Sequence, residues 1–320
     1  MCRCGEPTRL AAPIGLALAM LAVLMPAPAA VGQDDAMAAY LESRGLRSLL
    51  VARLEQLAVE ASPAMRPVVL SRLAGLYAEQ LDRAETDEAR RRLFERADRL
   101  LRETAREGTE FLELAIARAT YRAAERIAER WRLRAAGPEE QAEALATLAE
   151  VAAALDELAR RAERMIERSR SVSARAEGRR AISAGESMDA GLLLRGEVDY
   201  LAGWTAYYRG WLGDPAAGIV EAEERFERLL DLGDAGAVPS AVDLNRVGGE
   251  GYARAVLGMA LVRGLTGRVE EVLRWMEPLD DPDAHPSVRR ELPGWRLAVL
   301  IDAGAWSRVA DELSLVTGSD

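Results

Sequence analysis

The run from Leu192 to Leu212, LLLRGEVDYLAGWTAYYRGWL, constrains this chain more than any other stretch. It holds Tyr200, Trp204, Tyr207, Tyr208 and Trp211, five of an aromatic set of only six Trp, seven Tyr and three Phe. Tyr200, Trp204, Tyr207 or Tyr208, and Trp211 are spaced by three or four. On a helix they share one broad face, with Arg195, Glu197 and Arg209 toward its edges or beyond. A buried aromatic removes about 150–250 Å² from water. This helix therefore anchors a core, and the rest of the chain has to supply faces that cover it.

Those faces read as helices. Hydrophobic residues make up 49% of the chain, which excludes a wholly disordered polymer, and aromatics only 5%. Ala and Leu dominate the apolar set, a mixture that favours helix over sheet. All 42 basic residues are arginine and the one asparagine is Asn245, a bias that reflects base composition. The net charge of −10 argues against general nucleic-acid binding, which needs a basic footprint.

Residues 1–32 have the form of a secretory signal peptide. Arg3 and Arg9 precede an uncharged, mostly apolar run from Leu10 to Leu24, and small residues follow. Cleavage after Ala29 or after Gly32 fits, giving a periplasmic or extracellular product. The run also has the length of an uncleaved anchor, the one contact with a membrane the sequence offers, but Pro13, Pro26 and Pro28 favour cleavage. Cys2 and Cys4 precede the apolar run, so neither is a lipidation site. The mature chain then has no thiol and relies on packing alone.

Helical signals follow one another across 33–170. A first helix is broken around Gly45, Ser62-Pro63 restarts the chain, and Thr86 caps the helix carrying Phe94 and Leu100. Gly108-Thr109 opens a helix to about Ala136, and Gly137-Pro138 marks the next break. The helix that follows carries Leu148, Ala152, Leu155, Ala159, Ala162, Ile166 and Ser169 at alternating steps of four and three. That short heptad seam suits an intrachain hairpin or, alternatively, self-assembly as a coiled coil.

Composition changes abruptly at 168–187, where Ser and Gly rise and Arg168, Arg170, Arg175, Arg179 and Arg180 accumulate. A polar loop over 171–187 is expected there, with an anion-binding patch as the functional alternative. Residues 188–320 then return to helical hairpins. Asp214 caps and Pro215 starts a helix with Ala222 and Phe226, and 234–251 is a connector. Tyr252–Leu265 pairs with Val269–Met276, an acidic loop spans Asp280 to Pro286, and a last hairpin uses 288–303 and 306–316.

This C-terminal half resembles the tetratricopeptide repeat family. In WTAYYRGW, Trp204, Tyr207, Tyr208 and Trp211 fall where that motif has its aromatic, its Leu-Gly pair and its Tyr, and Ala222, Phe226 and Leu229 match its second helix. In YARAVLGMALVRGLTG, Leu257 and Gly258 match the Leu-Gly pair, with Val272, Met276 and Leu279 in the second helix. A further unit at Leu73, Ala74 and Tyr77 with Phe94 and Ala97 has a longer turn. The two C-terminal units lie 50 residues apart, from position 208 to 258, against a family period of about 34. The resemblance implies an all-α fold of antiparallel hairpins stacked as a TPR-like α-solenoid. It also implies a partner-binding groove faced by Thr205, Arg209, Tyr252 and Met259, and a protein or peptide as the partner.

No chemistry is evident. The one histidine, His285, sits in an acidic turn without companions for a metal, so no metal or cofactor is expected. Ala181-Ile182-Ser183-Ala184-Gly185 is elbow-like but lacks the strand a nucleophile elbow needs. Glu186-Ser187 has the pair found in lytic transglycosylases without the residues that follow it there. Gly248-Gly249-Glu250-Gly251 lacks the strand and the Lys-Ser/Thr of a phosphate loop. The expectation is an exported, non-enzymatic scaffold. The alternatives are a cell-wall hydrolase with an unrecognised carboxylate, Glu186 being its nominee, and a self-assembling helical protein.

Overall fold

The computed structural model describes residues 32–62, 65–84, 86–104, 109–175, 177–233 and 238–317. The expected leader over 1–32, apart from Gly32, lies outside the described residues, as do Pro63 and Gly108. The chain is all-α, with twelve α-helices among the described residues. It divides into two compact units, one ending at Gln56 and the other starting at Leu57.

The first unit contains α1 (Gly32–Ser43) and most of α2 (Arg47–Glu60). Gly45 makes the break between them at φ +66°, a region that suits a residue without Cβ.

The second unit carries α3 (Arg66–Arg83), α4 (Asp87–Glu103), α5 (Glu110–Arg132), α6 (Pro138–Ser173) and α7 (Arg179–Leu212). It continues with α8 (Pro215–Leu230), α9 (Glu250–Gly264), α10 (Val269–Met276), α11 (Pro286–Asp302) and α12 (Trp306–Thr317). Several boundaries follow local chemistry. Thr86 Oγ1 accepts the Ala89 N–H at 3.2 Å, and Asp214 accepts the Ala216 N–H at 3.0 Å just ahead of Pro215. Glu140 reaches back to accept the Gly137 N–H at 3.0 Å, half of a capping box, and Pro138 starts α6.

Packing follows chain order: each helix from α5 to α10 lies against the next, and α11 against α12. The odd-numbered helices also touch in sequence, α3 on α5, α5 on α7, α7 on α9 and α9 on α11. The most extensive pair is α6 with α7. The matches Gln141 with Leu212, Glu163 with Arg195 and Ile166 with Gly191 run in opposite order, so these two helices are antiparallel. The heptad seam is spent inside the chain: Leu148, Leu155, Ala159 and Ala162 are buried in one cluster with side chains of α5 and α7.

The polar segment differs from the loop expected over 171–187. The break is short, turning at Gly178 with φ +59°, and residues from Arg179 onward are helical. The Ser- and Arg-rich turns dock on α6. Ala184 is buried, and Gly191 comes so close to Ile166 that a Cβ there would lie 2.8 Å from its Cγ1.

The aromatic run anchors the core. Trp204, Tyr207 and Tyr208 are buried, and the Trp204 ring meets Tyr207, Tyr208, Phe226 and Trp295 with centroids 5.8–6.5 Å apart. Phe226 lies in a notch whose walls are Gly203 of α7 and Gly258 of α9. Beside it Asp199, 4% exposed, gathers Arg195, Arg225 and Arg228 from α7 and α8. The outer ends of that network reach Glu163 and Asp156 on α6.

Candidate functional site

Helices α5, α7, α9 and α11 line an open hollow of about 900 Å³. Three of them, α5, α7 and α11, each contribute one face at a spacing of four. Tyr121, Glu125 and Glu129 come from α5, Tyr200, Trp204 and Tyr208 from α7, and Glu291 and Trp295 from α11; α9 adds Tyr252 and Arg254. Aromatic rings form the wall, and charges sit at two depths.

The two carboxylates of α5 lie against the rings. Tyr121 OH donates to Glu125 Oε1 at 2.8 Å, and Tyr208 OH donates to Glu129 Oε1 at 2.6 Å. Burial, aided by the neighbouring rings and carboxylates, pushes the Tyr121 and Tyr208 hydroxyls well above the ordinary phenol value. Tyr200 is pushed up to about 12, again chiefly by burial. Burial likewise raises Glu125; the Tyr121 hydroxyl opposes this and the charge of Glu129 adds to it. Glu125 makes no ion pair among the described residues.

The rim is paired. Arg118 meets Glu197, and Arg254 bridges Glu250 and Glu291, each at 3.1 Å. Tyr252 accepts the Asp243 N–H at 3.0 Å and carries the Arg246 guanidinium 4.5 Å above its ring. Arg132, beside the hollow, is held between the Trp211 and Trp295 rings at 4.7 and 4.6 Å and donates to Tyr207 OH at 2.9 Å. The protein thus already seats one guanidinium among its own aromatics. Among the described residues the buried Trp204 Nε1 has no hydrogen-bond partner. Comparison with protein-family models, curated proteins and solved structures finds no match.

Of the four expected groove residues, Tyr252 lines the hollow. Thr205 is fully buried and its Oγ1 donates to Leu201 O at 2.7 Å, while Met259 is fully buried in the core. Arg209 pairs with Glu221 on α8 at 3.2 Å. Thr205 follows Trp204 in the chain and so points about 100° round the helix from the wall. Glu125, Glu129, Tyr121, Glu291 and Trp295 were not singled out from the sequence. The signal that marks them is the step of four in Tyr121-Glu125-Glu129 and Glu291-Trp295, on helices far apart in the chain.

The other candidates fall elsewhere. Glu186 is exposed on α7, away from the hollow, and Ser183 lies within that helix. His285 precedes α11: its N–H donates to Val247 O at 2.9 Å, and its ring Nδ1 lies 2.8 Å from Ser287 Oγ. Gly248 and Gly249 form the turn before α9. Among the described residues no group of three or more His, Cys, Asp or Glu is placed to hold a metal ion.

Glu125→Gln is expected to keep or raise stability at pH 7. Burial lifts the folded-state pKa above the unfolded one, so the contribution of Glu125 is full below the unfolded value near 4.3. It is lost as pH rises through the raised folded value. Glutamine keeps an acceptor for Tyr121 without a charge. Urea unfolding at pH 4 and pH 7 checks this: the variant should gain on wild type between the two. A loss above about 1 kcal/mol at pH 7 would mean that the ionised carboxylate stabilises the fold.

Proposed function

We propose that this chain is an exported, non-enzymatic scaffold, a TPR-like α-solenoid whose aromatic hollow takes a peptide segment of a partner protein. The observation that carries this is the convergence of six rings (Tyr121, Tyr200, Trp204, Tyr208, Tyr252 and Trp295) on Glu125 and Glu129 in one concave space. Side-by-side contact of alternate helices supports the repeat reading, because hairpins stacked in that way bury a continuous core and leave one row of helices to line a concavity. The signal-peptide form of residues 1–32 supports export.

The chemistry suits a peptide with a cationic side chain. Rings offer π-faces, and Glu125, although it feels the charges of Arg122 and Arg254, makes no ion pair among the described residues, so an incoming Arg or Lys can meet a ring and a carboxylate at once. Arg132, between two tryptophans and next to Glu129, is an internal example of the same recognition. An array of overlapping peptides from envelope proteins tests it. Wild type should retain a subset enriched in Arg or Lys beside apolar residues, and Tyr252→Ala or Glu125→Gln should lose that subset while remaining folded by circular dichroism. Equal retention by wild type and both variants would sink the proposal.

A wall hydrolase is the second reading, favoured by the raised, half-buried Glu125 as a general acid rather than by Glu186. Release of soluble fragments from purified cell wall by wild type, but not by Glu125→Gln, would select it.

A further inference from the structure

A second cavity, of about 590 Å³, lies where the end of α6 passes the start of α7. It is lined by four arginines, Arg161, Arg164, Arg168 and Arg180, against one carboxylate, Glu110. Two of the four are engaged, Arg161 by Glu113 and Arg164 by Glu157 at 3.2 Å. The guanidinium groups of Arg168 and Arg180 make no ion pair or hydrogen bond among the described residues. A chain of net charge −10 thus turns two guanidiniums without an ion-pair partner among the described residues into one concave space.

Helix dipoles do not explain both. Arg168 lies near the C-terminus of α6, where a cation is favoured. Arg180 lies in the first turn of α7, where a cation is disfavoured and an anion favoured. Negative charge placed between them would be favoured by both guanidiniums and by the N-terminus of α7. Hydroxyls complete the lining. Ser183 and Ser187 stand one turn apart on α7, and Ser169, only 6% exposed, lines the cavity with its hydroxyl lacking a hydrogen-bond partner among the described residues. Guanidinium forks with hydroxyl donors match the oxygens of a tetrahedral oxyanion.

We propose that this cavity binds a phosphate group, held between Arg168 and Arg180 with Ser169, Ser183 and Ser187 donating to its oxygens. Its source is either a small phosphate or phosphomonoester in solution, or the headgroup of an anionic phospholipid.

Titration calorimetry of the purified chain with inorganic phosphate, and co-sedimentation with phosphatidic acid vesicles against phosphatidylcholine vesicles, test it. Arg168→Gln and Arg180→Gln should each weaken binding by about tenfold or more, and the double variant should abolish it. Arg170→Gln is the control, since that exposed residue pairs with Glu167 and does not line the cavity. It should bind like wild type, and binding should weaken as salt is raised. Heat with inorganic phosphate assigns the site to the soluble source. Sedimentation with phosphatidic acid alone, lost in the double variant, assigns it to the headgroup. Wild type that responds to neither probe, or a double variant that responds as wild type does, overturns the proposal. Both arginines are exposed, so circular dichroism of the double variant should match wild type and separate lost binding from lost fold.

Discussion

Asp199→Ala is expected to destabilise the protein by about 3 kcal/mol, the low end of the cost of breaking a buried ion pair. The carboxylate is 5% exposed and receives Arg195 at 2.7 Å, Arg225 at 2.9 Å and Arg228 at 3.2 Å. Removing it leaves two mostly buried guanidiniums facing each other. The low end applies because Arg195 keeps Glu163 and Arg225 keeps Asp156. Arg228 is 44% exposed and counts for little. The pH dependence has a definite sign. Burial acts to raise the pKa of Asp199, but hydrogen bonds from the three arginines outweigh it, and the net shift is downward. Its contribution is therefore full above the unfolded value near 3.9 and is lost as pH falls through the depressed folded value. Urea unfolding of wild type and variant should differ fully at pH 7 and converge below about pH 4. A constant difference down to pH 2 would mean that the cost is a packing defect.

How much of this was legible depends on whether the cause was local. Val269–Met276 could be read because Gly267 and Pro278 punctuate it, and the helix starts at Asp87 and Pro215 because Thr86 and Asp214 cap them. The first turns of α7 were not legible. Arg-, Ser- and Gly-rich composition reads as loop, and only docking against α6 makes it helix. Tertiary contact there overrides propensity. The same holds for the two cavities. Tyr252 was singled out only through the resemblance to a repeat motif, and Glu125 and Trp295 meet only because α5, α7, α9 and α11 share a side. Arg168 and Arg180 were visible as a cluster, yet what gives them meaning is the turn at Gly178 that sets them across one concavity. Thr205 and Met259 show the opposite failure: a register carried over from a degenerate motif put two core side chains in a groove.

The notch at Phe226 makes the second large prediction. Phe226→Ala is expected to cost about 3–5 kcal/mol, because the ring is fully buried and the space it leaves cannot close. Backbone walls it on two sides. A Cβ at Gly203 would lie 2.7 Å from Phe226 Cε1, and one at Gly258 would lie 2.4 Å from Cζ. The ring can give way in neither direction, so Gly258→Ala alone should cost about 1–3 kcal/mol by overpacking. The two changes are then coupled, since the alanine methyl at 258 occupies part of the volume that loss of the ring vacates. The double variant Phe226→Ala with Gly258→Ala should be more stable than the sum of the singles predicts, by about 0.5–3 kcal/mol in a double-mutant cycle. Simple additivity would show that Gly258 is glycine for some reason other than the ring. Coupling of the expected sign would show that α7, α8 and α9 are held in register by one phenylalanine between two glycines, the same register that sets Trp204 and Tyr252 on the wall of the hollow.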